Sequence, residues 1–134
     1  MIKRALIIML ALFAVGGIIS CSSSSSTPTQ TGGSTTINLT AQNLLFNMST
    51  ITVPHGATIT VNFQNNDSGI QHNFAIYQSG SASSGTATGP IFVGQLITGV
   101  SSVTYTFTAP STPGTYFFRC DVHPTMMTGS FIVT

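Results

Sequence analysis

Cys120-Asp121-Val122-His123-Pro124-Thr125-Met126-Met127-Thr128-Gly129 places a thiol, an imidazole and two thioethers within eight residues of one another, directly after an apolar strand-like run. A tight loop can turn such donors toward one point. Soft sulfur ligands favour Cu(I), imidazole serves both oxidation states, and two imidazoles with a thiolate and a long axial thioether make an electron-transfer copper site. The stretch holds a single imidazole, so a second has to come from elsewhere in the chain.

Working outward, apolar residues alternate with Thr, Ser and Asn at period two, the mark of strands with one buried face. Ile37 and Leu39 begin the pattern, and Ile51 and Val53 continue it to the Pro54-His55-Gly56 turn. Ile59, Val61 and Phe63 alternate with polar residues up to the turn-forming Asn65-Asn66-Asp67-Ser68-Gly69. Ile70, His72, Phe74 and Ile76 share one parity, and a loose Gly/Ser/Ala/Thr loop is expected from Ser79 to Gly89. Ile91, Val93 and Leu96 form a short piece, then Val103, Tyr105 and Phe107 alternate with threonines. Thr115 to Cys120 and Thr128 to Thr134 complete the set, and no stretch has helical period. Seven or eight short strands at this spacing predict an all-β Greek-key sandwich or barrel.

Parity brings the missing imidazole into view. His72 falls on the face of Ile70, Phe74 and Ile76, and Cys120 on the face of Tyr116 and Phe118, so both point inward. Burying an imidazole without a partner costs roughly 1–3 kcal/mol, a cost that a metal would remove.

The front of the chain reads differently. Lys3 and Arg4 precede an apolar run from Ala5 to Ile19, the pattern of a secretory signal over residues 1–20. Ile18-Ile19-Ser20-Cys21 has the form of a bacterial lipobox, which predicts cleavage before Cys21 and a lipid anchor on its sulfur, on the outer or periplasmic side of a membrane. Residues 21–36 are almost wholly Ser, Thr, Gly, Pro and Gln, too polar to offset their ordering entropy, and are expected to be a flexible tether. Residues 37–134 then form one domain. With Cys21 lipidated, Cys120 has no disulfide partner, and a lone thiol in an exported domain points to a ligand.

Charge excludes much. After Cys21 only Asp67, Asp121 and Arg119 carry formal charge, and the chain has no Glu. There is no basic patch for nucleic acid, and most acid–base catalysis is ruled out by inventory.

Val53-Pro54-His55-Gly56, Asn65-Asn66-Asp67, Gln71-His72-Asn73-Phe74, Pro113-Gly114-Thr115-Tyr116 and the loop from Cys120 to Gly129 together resemble the cupredoxin family of type 1 blue copper proteins, in its plastocyanin and amicyanin branch. The resemblance covers nearly the whole domain. It implies one copper ion held by His72, Cys120, His123 and a loop methionine. Spacing from His123 admits Met126 or Met127. The family's axial methionine stands two residues before a glycine, which Met127-Thr128-Gly129 matches, leaving Met126 as an apolar surface residue. Asn73 falls where the family ties its two ligand loops together, and Asp121 where it often has Ser or Thr; a poorly screened carboxylate there lowers the reduction potential.

Other candidates read as structural. His55, in its turn, is a surface residue, Met48 belongs to the core, and Arg119 is a solvated or partner-facing charge. The expected function is a non-enzymatic, monomeric, lipid-anchored shuttle of single electrons, meeting redox proteins weakly near His123. The alternative is copper capture or delivery, for which the paired Met126 and Met127 are suited. Copper oxidase chemistry needs a second copper, for which three histidines leave no site.

Overall fold

The computed structural model describes residues 32–134. The predicted signal segment, Cys21 and most of the predicted tether lie outside the described residues. Eleven strands run through that region: β1 (Ser34–Gln42), β2 (Leu45–Phe46), β3 (Thr50–Val53), β4 (Thr58–Asn65), β5 (Gln71–His72), β6 (Ala75–Ser81), β7 (Thr86–Val93), β8 (Ile97–Thr98), β9 (Ser101–Thr108), β10 (Gly114–Arg119) and β11 (Thr128–Val133). The alternation that predicts strands is kept in three dimensions. Along β4, Ile59, Val61, Phe63 and Asn65 are buried while the residues between them face outward.

One sheet has the order β2-β1-β4-β9 and the other β3-β11-β10-β6-β7, with β5 and β8 paired separately. The chain crosses from one sheet to the other between β2 and β3, β3 and β4, and β9 and β10, and β1 lies parallel to β4 and β3 parallel to β11. This is a sandwich with crossed connections, as expected. Phe63, Phe74, Phe118 and Phe131 are fully buried in its core, and the Phe74 and Phe118 centroids stand 5.4 Å apart. The quoted stretch joins β10 to β11, two neighbours inside the second sheet.

Three expectations need correction. β1 begins at Ser34, paired with Thr58, so residues 34–36 are strand where a tether was expected; the partner strand's backbone orders them despite their polarity. The predicted loop Ser79–Gly89 is largely the hairpin of β6 and β7, with Ser79, Gly80 and Ser81 opposite Thr88, Ala87 and Thr86. Its small polar residues carry no apolar alternation; backbone pairing and the Phe117 ring, packed where a Gly80 Cβ would project, hold it instead. Ile70 is 38% exposed although His72, Phe74 and Ile76 are buried. The strand breaks after His72, where β5 pairs with β8 and β6 with other partners, so parity does not carry back to Ile70.

Candidate metal centre

His72 and Cys120 are both fully buried, His72 on β5 opposite Ile97 and Cys120 just past β10. The loop after Cys120 is closed by its own backbone. The Cys120 N–H donates to the Met127 carbonyl at 2.8 Å, and the Met126 and Met127 amides donate to the His123 carbonyl at 3.2 and 3.0 Å. That folding brings His123 back over the thiol. It also separates the two methionines: Met127 is fully buried within the core cluster and Met126 is 53% exposed.

The His72 and His123 Nδ1 atoms are 3.1 Å apart and stand 3.6 and 3.9 Å from the Cys120 Sγ. A triangle with those sides (3.1, 3.6 and 3.9 Å) has a circumcentre about 2.1 Å from each corner, close to ordinary metal–nitrogen and metal–sulfur bond lengths. Two imidazoles and a thiol in a trigonal set, with a buried thioether in the same loop, are the donors that copper takes in redox sites. Burial, reinforced by the neighbouring His72, holds the His123 imidazole below its usual pKa and therefore neutral over a wider range, the form that ligates.

Asn73 performs the tie expected of it. Its Oδ1 accepts the Asp121 N–H at 2.8 Å, and its Nδ2 donates to the Gly94 carbonyl and to Asp121 Oδ2, both at 3.0 Å. Asp121 also accepts the Tyr77 hydroxyl at 2.7 Å and Arg119 Nε at 2.8 Å. Burial alone would raise its pKa, but the bonds from Asn73, Tyr77 and Arg119 outweigh this and hold the carboxyl below the usual range. Asp121 is therefore screened. Arg119, expected to be solvated or partner-facing, is instead folded back: its Nη1 donates to the Gly85 carbonyl at 2.6 Å and its guanidinium lies 4.8 Å over the Tyr77 ring. An anion, a carbonyl and an aromatic face satisfy it better than solvent does.

Asn65 and Asp67, expected as turn residues, have a part in the site that the turn pattern does not reveal. Asn65, fully buried, donates to the carbonyls of Ile70, two residues before His72, and of Ile97, the residue paired with it, at 2.8 and 3.0 Å, and accepts the Asp67 N–H at 3.0 Å. Asp67 Oδ2 lies 2.8 Å from His72 Nε2. Period two offered a signal for Asn65, which shares the inward parity of Ile59, Val61 and Phe63. His55 is bonded through Nδ1 to the Thr134 carbonyl at 2.9 Å and is not among the converging donors. Met48 is partly buried against the core.

Residues 7–133 match the family described as the cupredoxin-like domain, and the chain belongs to that family. It is 32% identical over 112 residues to auracyanin-A of Chloroflexus aurantiacus, a match covering 69% of this chain and 68% of that protein. The solved structure of Chloroflexus aurantiacus auracyanin A, described as a "blue" copper protein, superimposes with a TM-score of 0.66 at 30% identity, over 76% of this chain and 100% of that one. Reduced auracyanin from Roseiflexus castenholzii gives a TM-score of 0.65 at 33% identity, over 77% and 99%.

Proposed function

We propose that the protein is a blue copper electron carrier whose single copper is held by His72, Cys120, His123 and Met127. It is not an enzyme. The observation that carries this reading is the triangle of Nδ1, Nδ1 and Sγ donors around a point at bonding distance from all three, with Met127 buried in the loop that carries two of them. Bound there, copper supplies a one-electron couple. The chain's own part is to keep the donor set the same in both oxidation states. His72 and Cys120 are walled in by the core, the loop of Cys120 and His123 is locked by its backbone bonds, and Asn73 joins the two ligand segments. Little nuclear rearrangement is then needed when an electron arrives.

His123 is only partly buried, and Val122 and Met126 beside it are exposed. Together with Pro124 and Thr125 they form a small uncharged surface of the kind transient redox encounters use. The reading extends to the front of the chain: export by residues 1–20, a lipid on Cys21 and a tether place a monomeric carrier at a membrane, supported by the charged and apolar pattern and by Ile18-Ile19-Ser20-Cys21. Loss of the full chain from the membrane fraction on Cys21→Ala is the expected result there.

The central test is the visible spectrum of the full chain loaded with cupric ion. An intense thiolate-to-copper charge-transfer band, abolished by Cys120→Ala, is expected; a colourless loaded protein overturns the reading. Met127→Leu should move the reduction potential by at least about 59 mV, a tenfold change in relative Cu(II)/Cu(I) affinity, and Met126→Leu should leave it in place.

A further inference from the structure

We propose that Asp67 is a positioning residue of the copper centre, a buried anion set behind His72 that fixes its ring and favours the oxidised metal. This rests on the copper reading above.

Asp67 has its own cradle. Its Oδ1 accepts the Asn43 N–H at 2.6 Å and its Oδ2 the Leu44 N–H at 3.0 Å, while Oδ2 also meets His72 Nε2 at 2.8 Å. Asn43 and Leu44 have φ of 55° and 59°, left-handed values that L side chains avoid and that cost about 1–2 kcal/mol per residue. Consecutive amides turned onto one anion form a nest. Asn43 and Leu44 are the two central residues of the β1–β2 hairpin, whose tight turn needs φ > 0 at both positions, and that turn aims both amides at this carboxylate. Asn65 holds the other side, accepting the Asp67 N–H and donating to the carbonyls of Ile70, two residues before His72, and of Ile97, the residue paired with His72.

The charge balance points to the metal. The Asp67 side chain is 8% exposed. Among the described residues Arg119 is the only Lys or Arg, and it is bound to Asp121. The Asn43 and Leu44 amides stabilise the carboxylate but bring no full opposite charge to it. Its one remaining neighbour is an imidazole whose other nitrogen faces the donor triangle, so the cation that complements Asp67 is the one His72 would ligate. With the carboxylate accepting from Nε2–H, the lone pair is confined to Nδ1, the atom turned toward Cys120 and His123. A ligand histidine bonded in this way is oriented and made more basic. The added negative charge stabilises Cu(II) relative to Cu(I).

The test is the reduction potential of the full copper-loaded chain. Asp67→Asn keeps an oxygen acceptor for Nε2–H, removes the charge and gives up the bond from the Asn43 N–H, which would face the amide nitrogen. It should retain the charge-transfer band while Cu(II) affinity relative to Cu(I) falls about tenfold, a rise of about 59 mV. The double variant Asn43→Gly with Leu44→Gly keeps carboxylate and donors but removes the left-handed side chains; its potential should stay within about twofold of wild type in affinity ratio, or 18 mV. An Asp67→Asn potential unchanged within that limit overturns the proposal and leaves Asp67 a loop cap. Should Asp67→Asn fail to fold or load, the wild-type Cu(I) protein decides by NMR. A slowly exchanging, strongly downfield His72 Nε2–H supports the proposal, and a freely exchanging one overturns it. A wild-type protein that takes no copper defeats the copper reading itself, whereas a blue wild type with an indifferent Asp67→Asn variant defeats this inference alone.

Discussion

The chain's two carboxylates, Asp67 and Asp121, stand at the two ligand segments and are handled in opposite ways. Asp121, beside Cys120, is surrounded by cation and donors: Arg119, Tyr77 and Asn73 all bond it. Asp67, behind His72, has only two amides and the imidazole. One charge is neutralised within the protein. The other is left to act through a ligand. The lesson is that a carboxylate's environment depends on the partners the fold brings to it more than on its place in the sequence, since Asp121 is next to Cys120 and Asp67 is five residues from His72.

Breaking each anchor tests that contrast. The largest effect on stability should come from Asn65→Ala, which strips three hydrogen bonds from a fully buried site. A loss of about 3 kcal/mol in urea unfolding is expected, with weakened copper retention because His72 loses its framing. On the potential, Asp67→Asn should outweigh Asp121→Asn. The second should shift the affinity ratio less than about threefold, because Arg119 compensated the charge already removed. Arg119→Ala should lower the potential, again by less than about threefold in affinity ratio, since it bares Asp121; adding Asp121→Asn to it should restore the wild-type value. The smallest effect is on association. Rates with a redox partner should be nearly independent of ionic strength, because the described domain has no free charge patch to steer an encounter. A steep salt dependence would mean that the Asp67 or Asp121 charge reaches the docking surface.

Most of the architecture was legible in the residues. Strands with one buried face write themselves as alternation, so β1, β4 and β9 follow from Ile37 and Leu39, from Ile59, Val61 and Phe63, and from Val103, Tyr105 and Phe107. The β6–β7 hairpin was not legible, because its Ser, Gly and Thr residues are held by backbone pairing that leaves no apolar signature. The converging donors were visible for a similar reason. Cys120 and His123 sit in one short loop, and the alternation of His72 with Phe74 and Ile76 marked it as inward even though the strand breaks between them. Arg119 misled, since strand parity sends it outward but says nothing of a guanidinium folding back onto Tyr77 and Asp121.

By itself the sequence determined the all-β class and the near-absence of charge, because composition and period are local properties of a chain. The tertiary structure alone decided that Asn43 and Leu44 bend their amides onto Asp67, that Asp67 reaches His72 Nε2 and that Asp121 is neutralised. Those contacts join residues from separate strands and turns, and hydrogen bonds of that kind depend on distances that only the packed sandwich defines.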